Sequence, residues 1–253
     1  MQVTTFSPRT ASLFTQDLEL QPGSALLRFG AARPRPAGRF DWSGDGAVAW
    51  LDEPRGHVWS VGEPAAAAGL MLRAAHQLPG KIRGFTGPRG VDALLGRHLA
   101  VTDPVAWAFR WTLDEPPLHP GEEQVRELGE ADHSELRAFL GKHSPAHSTG
   151  PGSSDVSRWA AIRGPSGRLV ACGALSTLRD SGAPLLASVA TDAALRGQGL
   201  GAALTSWLTR HAVRRQGLCT LWQLADNTPA DRLYTRLGYR DEDPCVAARI
   251  STC

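Results

Sequence analysis

The chain has 253 residues, a net charge of +2 from 27 Lys+Arg against 25 Asp+Glu, and 42% hydrophobic residues. That length suits one large domain or two small ones with a substantial core, and its dispersed charge argues against a dedicated nucleic-acid binder, whose basic residues would cluster. The most apolar run, Pro64 to Leu72, is too short to span a bilayer and is flanked by Glu63 and Arg73, so no membrane role is expected.

The N-terminus lacks a basic-then-apolar leader pattern. Cys172, Cys219, Cys245 and Cys253 form no Cys-x-x-Cys pair, so no metal site is expected. Cys172 and Cys219 fall in apolar runs that read as strands. Buried thiols and a reducing, cytoplasmic setting follow as expectations.

Taken in order, Thr5 to Leu18 allows a helix that Pro8 interrupts, and Ala31 to Gly38 is a loop. Ala47–Leu51 and His57–Val61 read as two strands around an Asp-Glu-Pro-Arg-Gly turn. Glu63 to His76 is a helix with Pro64 at its first position. A strand at Lys81–Thr86, a short helix from Gly90 to His98 and a strand at Val105–Thr112 complete a ββαβαβ run. Leu113 to Gly121, with three prolines, is a linker.

Beyond the linker, Val125–Leu128 is a strand, and Asp132 is placed to cap a helix reaching about Lys142. His143 to Asp155 is a loop of Ser, Gly, Pro and His. Trp159–Arg163 and Leu169–Leu175 form a hairpin, and Leu185–Thr191 is a further strand. A helical stripe of Leu200, Leu204, Leu208 and His211 follows, with Trp207 beside it. Cys219–Leu224 is a strand, Thr228 caps a helix with Pro229 at its first position, and Cys245–Ile250 is the closing strand.

The most informative stretch is the strand ending at Thr191, the loop Arg196-Gly197-Gln198-Gly199-Leu200-Gly201-Ala202 and the helix after it. Glycines let backbone turn tightly and approach a ligand. The first amides of a helix have no internal partner, and the dipole adds about half a positive charge there. A pyrophosphate fits such a site. No Gly-Lys-Ser/Thr follows, which excludes a nucleotide P-loop, and the glycines are not spaced Gly-x-Gly-x-x-Gly, which excludes a dinucleotide fingerprint.

Arg196, Gly199 and Gly201 fit Arg/Gln-x-x-Gly-x-Gly/Ala, and Asn227, Ala230, Leu233, Tyr234, Gly238 and Tyr239 fit a second block one helix downstream. Together they resemble the two signature blocks of the GNAT superfamily of N-acyltransferases, from about Val125 to the C-terminus. The resemblance implies an α/β (α+β) GNAT fold: a mixed central sheet with splayed strands, flanked by helices. The ββαβαβ run echoes the same order without its glycine loop, Val61-Gly62-Glu63-Pro64 standing in its place. Two tandem units are therefore expected, a degenerate GNAT-like domain at 1–115 and an acetyltransferase domain at 116–253. The bland alternative for 1–115 is an unrelated cap that shapes the acceptor pocket.

The same resemblance implies acetyl-CoA as cofactor. Val189, Ala190 and Thr191 would meet the pantetheine, and an N–H near Val189 would stabilise developing negative charge. Amides of Arg196, Gly197, Gln198, Gly199, Leu200, Gly201 and Ala202 would hold the pyrophosphate. Asn227 would contact cofactor or cap the helix, and Tyr234 would protonate or hydrogen-bond the departing thiolate. The strands flanking the loop carry no carboxylate to act as general base. His147 and Asp155 are the candidates, with His143 third, while Asp192 and Asp226 read as turn residues. The expected reaction is direct acyl transfer to a small-molecule or peptide amine in a ternary complex, by a monomer or homodimer. A non-catalytic acyl-CoA sensor is the alternative, and O-acylation or a longer acyl donor stays open.

Overall fold

The structure, a computed structural model, describes residues 24–26, 29, 41–44, 46–179 and 181–251. The sequence expectations for Thr5–Leu18, Ala31–Gly38 and Cys253 lie outside the described residues. The chain forms two compact units. One holds Trp111–Trp222 and Pro229–Arg240; the other holds the described residues up to Arg110, Gln223–Thr228 and the stretch from Asp241 on.

The second of these contains β1 (Asp41–Gly44), β2 (Ala47–Asp52), β3 (His57–Gly62), α1 (Pro64–Gln77), β4 (Gly84–Pro88), α2 (Val91–Leu95), β5 (Ala100–Thr112) and β11 (Arg240–Ser251). Its strands lie in the order β1-β2-β3-β4-β11-β5. β2 and β3 form the expected antiparallel hairpin, while β3 and β4 run parallel. A parallel pair needs a crossover, and α1 supplies it. The side-chain carboxylate of Glu63 accepts the Ala65 N–H at 2.8 Å, capping α1 in front of Pro64. The strand expected at Lys81 starts at Gly84 instead. The Lys81 N–H is spent on the turn that closes α1, bonding the Leu78 carbonyl at 3.1 Å. The closing strand β11 lies antiparallel on β4, from Gly84 opposite Arg249 to Pro88 opposite Cys245. Val58, Leu70, Met71, Ala74, Phe85, Leu95 and Val246 share this unit's core.

The other unit contains β6 (Arg126–Leu128), α3 (His133–His143), β7 (Val156–Arg163), β8 (Leu169–Thr177), β9 (Pro184–Thr191), α4 (Leu200–Gln216), β10 (Cys219–Leu224) and α5 (Thr228–Arg236). The order is β10-β9-β8-β7-β6. β6 to β9 are antiparallel neighbours, and β9 and β10 are parallel across α4. Helices cover both faces. Leu204 and Leu208 of α4, both fully buried, pack with Leu186, Leu221 and Tyr234. Leu136 and Leu140 of α3, equally buried, pack with Trp159, Cys172 and Ala190. Each such leucine contributes roughly 1.5–3 kcal/mol on leaving water. Asp132 stands at the N-terminus of α3 but makes no capping bond. Its carboxylate accepts the Gly129 N–H at 2.9 Å and pairs with Arg163 at 2.8 Å, fastening the helix to β7 instead.

His57 is the one titratable group of β3, and it is half-buried. Its Nε2 meets Thr86 Oγ1 at 2.9 Å, and its ring tilts against Trp59. Burial first, and Arg55 second, lower its pKa to about 4. An unfolded histidine takes its proton near pH 6.5. Above that pH both states are neutral and His57 contributes nothing to the pH dependence. As pH falls from about 6.5 toward 4 the unfolded chain binds a proton that the fold refuses, so stability declines. Urea midpoints measured across that window should fall for the native chain and fall less steeply for His57→Leu.

Candidate active site

Strand β9 is interrupted by a bulge. Its ladder with β8 pairs Cys172 with Ala190 but Ala174 with Ala187, so three steps on β9 face two on β8. The extra residue lies at Ser188, which takes the left-handed conformation at φ 51°. A bulge of this kind bends its strand and raises the local twist. On the other edge of β9, the ladder to β10 holds, among the described residues, only Thr220 with Leu185 and Leu221 with Leu186. Ala187 to Thr191 run on beyond it. This is the splay expected of Leu185–Thr191 and Cys219–Leu224. Val189 is half-buried in it, and Ala190 is turned onto the α3 side among Cys172 and Trp159.

From β9 the chain enters the glycine loop through Asp192, whose side chain accepts the Ala194 N–H at 3.0 Å and shapes a single 3-10 turn. Arg196, Gly197 and Gln198 are exposed. Gly197 and Gly199 both have φ 82°, which a residue with a Cβ reaches only at a cost. The first intrahelical bond of α4 runs from the Ala203 N–H to the Gly199 carbonyl at 2.9 Å. The amides of Leu200, Gly201 and Ala202 therefore have no intrahelical partner. A Cβ at Gly201 would come within 3.1 Å of Thr191 Oγ1, so the loop and the end of β9 are packed as one piece. Helix amides without intrahelical partners thus lie next to the stretch of β9 that runs beyond its ladder with β10.

The loop after α3 reaches this bulge. Ser188 Oγ donates to the Thr149 carbonyl at 2.7 Å and accepts the Thr149 N–H at 3.3 Å, and Thr149 is buried. Two residues earlier, His147 Nδ1 donates to the Ser144 carbonyl at 2.8 Å. A carbonyl only accepts, so the proton of the neutral ring is on Nδ1 and the lone pair is on Nε2. His143 is committed elsewhere. Its ring packs on Phe139 with centroids 4.5 Å apart, and its Nδ1 accepts the Ala193 N–H at 3.4 Å. Asp155 lies toward the other end of β9. Its carboxylate accepts from Ser176 Oγ at 3.2 Å, and Ser176 pairs with Leu185.

Tyr234 is 9% exposed on α5, with its ring edge-on to Tyr239 at 5.6 Å. It shares the cluster of Leu186, Leu204 and Leu221. Tyr239 is hydrogen-bonded to Thr209 at 2.7 Å, and burial holds its phenol well above the ordinary range. Asn227 occupies an exposed turn, its N–H on the Leu224 carbonyl at 3.0 Å and its own carbonyl accepting from Gln223 at 3.3 Å. Burial pushes the Cys172 and Cys219 thiols up to about 12, which leaves neither as a thiolate at neutral pH.

The expected residues Val189, Ala190 and Thr191 end β9, Arg196–Ala202 follow as the loop and the first turn of α4, and the His147 loop is fastened to the same strand; the Ala190 side chain is buried on the α3 side. Asp155 is drawn toward the start of that strand. Three residues packed against this segment carry no local signature in the sequence: Ser188, Thr149 and His119, whose ring lies beside Gly199. Serine in a strand reads as weak β-propensity and gives no sign of a left-handed bulge.

The sequence model of the acetyltransferase (GNAT) family matches residues 123–239. A GNAT-family structure from Novosphingobium aromaticivorans superposes with a TM-score of 0.54 and 22% identity, covering 84% of this chain and 91% of that one. A GCN5-related N-acetyltransferase from Kribbella flavida gives a TM-score of 0.52 and 20% identity over 95% of each chain. One from Sphaerobacter thermophilus gives 0.54 and 18% identity, over 80% of this chain and 76% of that one. These likenesses establish a shared fold. No curated protein matches the chain. Residues 123–239 therefore match the GNAT acetyltransferase family, whose members take acetyl-CoA as acyl donor.

Proposed function

We propose that this chain transfers the acetyl group of acetyl-CoA to the amine of a small molecule or peptide by direct attack within a ternary complex. The observation that carries this reading is the shortened β9–β10 ladder leading from the Ser188 bulge into the glycine loop. The strand edge from Ala187 to Thr191 gives the pantetheine amides a backbone partner. The amides of Leu200, Gly201 and Ala202 bind the diphosphate, with the Arg196 side chain adding charge. Asn227, on the motif's pattern, is a further cofactor contact.

Acetyl-CoA supplies an activated thioester carbonyl. An alkylammonium must lose a proton before its nitrogen can attack, and His147 Nε2 is the acceptor best prepared to take it. Its tautomer is set by Ser144, and its loop is latched to Ser188 beside the thioester position. Asp155 is a weaker candidate because its carboxylate already accepts from Ser176. The new N–C bond forms as the C–S bond breaks. An N–H near Val189 meets the charge on oxygen, and Tyr234 returns a proton to sulfur. The raised thiol pKa values of Cys172 and Cys219 support transfer without an acyl-enzyme.

We read residues 1–115 as a degenerate GNAT-like half and 116–253 as the acetyltransferase domain, with the closing strand β11 of the second laid on β4 of the first. Supporting the first part, β3, α1 and β4 repeat the parallel crossover of β9, α4 and β10. The N-terminus of α1 is already filled by its own Glu63 carboxylate and by Pro64, which has no N–H. One coenzyme A per chain is the expected stoichiometry.

The direct test is thiol release from acetyl-CoA by the full chain against a panel of amines. Turnover is expected, with initial-rate lines that intersect; tight binding with no turnover for any amine would leave a sensor. Gly199→Val and Gly201→Val should each weaken coenzyme A binding by at least about tenfold in calorimetry, since they combine left-handed strain or a clash at Thr191 with loss of the cradle. His147→Ala should lower kcat by roughly a hundredfold with little change in the KM for acetyl-CoA. Alkylation with iodoacetamide under native conditions should leave the rate unaltered, because Cys172, Cys219 and Cys245 are all buried and burial pushes the thiols of the first two up to about 12.

A further inference from the structure

The glycine loop has a neighbour from outside its own segment. A Cβ built on Gly199 would meet His119 at 3.5 Å to Cε1 and 3.9 Å to Nε2, so that edge of the imidazole forms a wall beside the outward amides. The ring's Nδ1 donates to the carbonyl of Pro120, which leaves Nε2 as the nitrogen turned to the loop.

The linker that carries this histidine is fastened along α4. Ser206 donates to the Pro117 carbonyl at 3.2 Å, and Arg214 pairs with Glu115 at 2.8 Å. Arg210 pairs with Glu122 at 3.3 Å and with Glu115 at 3.6 Å. Ser206, Arg210 and Arg214 follow one another at four-residue spacing, one stripe of the helix that begins at the loop. Glu122 also accepts the His119 N–H at 2.8 Å. Burial alone would raise the Glu122 carboxyl, yet its bonds from the His119 N–H and Arg210 hold it below the usual carboxylate range. The carboxylate is thus spent on the linker's backbone and on Arg210. His119 is held in place through its own main chain, against the same helix whose first amides face the ligand.

We infer that His119 is a ligand of the cofactor's diphosphate, its Nε2–H donating to a phosphate oxygen opposite the amides of Leu200–Ala202. This rests on the coenzyme A reading of the loop. The loop itself supplies one cationic side chain, Arg196, against a diphosphate of about two negative charges, and His119 as an imidazolium, donating from both ring nitrogens, adds a second. The linker is then part of the cofactor site as well as a connection.

The test is calorimetry of the full chain with two probes, coenzyme A and pantetheine, the latter lacking the diphosphate. His119→Ala and His119→Gln should each weaken coenzyme A binding about five- to twentyfold and leave pantetheine binding within about twofold of the native chain. Undiminished coenzyme A affinity in both variants overturns the inference. So does an equal loss for both probes, which assigns His119 a purely structural role. If the native chain itself fails to bind coenzyme A, the reading of the loop falls and this ligand falls with it.

Discussion

Ser188 holds a strained conformation in the middle of a strand, and the candidate site is arranged around it. Left-handed backbone at a residue with a Cβ costs on the order of 1–2 kcal/mol. Two hydrogen bonds from its hydroxyl to the main chain of Thr149 offset that cost, since each bond contributes about 1 kcal/mol. The bulge has two consequences. It lets β9 keep its pairing with β8 while the pairing with β10 ends at Leu186. It also gives the loop after α3 a fixed docking point, so that a histidine on an irregular segment is held beside a strand edge.

Helix α4 references the glycine loop to the core. Leu204 and Leu208 are fully buried on the sheet, which sets the position of the helix and hence the direction of its first amides. Its other stripe, Ser206, Arg210 and Arg214, takes the linker. A loop of exposed glycines would otherwise be among the softest segments of a domain. Here it is bounded by Asp192 on one side, by the core-anchored helix on the other, and by Thr191 where Gly201 approaches it. Preorganised amides of this kind lose little freedom when an anion arrives.

The two units show how few residues separate an open helix N-terminus from a filled one. Each has a parallel strand pair joined by a helix. In one, three glycines precede and open the helix and leave its amides outward. In the other, Glu63 turns its own carboxylate onto the Ala65 N–H and Pro64 removes a donor. An internal anion competes at far higher effective concentration than any ligand, so this second helix end has no need of an external one.

Much of the fold and part of the site were legible from residue order alone. The strand–glycine–helix stretch, the hairpin around Gly164–Gly167, the paired strands at Ala47 and His57 and the buried thiols all follow from spacings of a few residues. Such short-range patterns are dictated by the 2.0 and 3.6 periodicities and by glycine and proline stereochemistry, which the sequence states directly. Other features depended on partners far away in the chain. The bulge at Ser188 is held by Thr149, and the ring of His119 meets a loop eighty residues later. Asp132 is drawn off its helix cap by Arg163, and β11 lies on β4 from the first half of the chain. The sequence by itself determined the strand, glycine loop and helix and the order of elements, because those are local stereochemistry. Only the tertiary structure decided which histidine reaches which edge, because hydrogen bonds between distant segments leave no spacing to read.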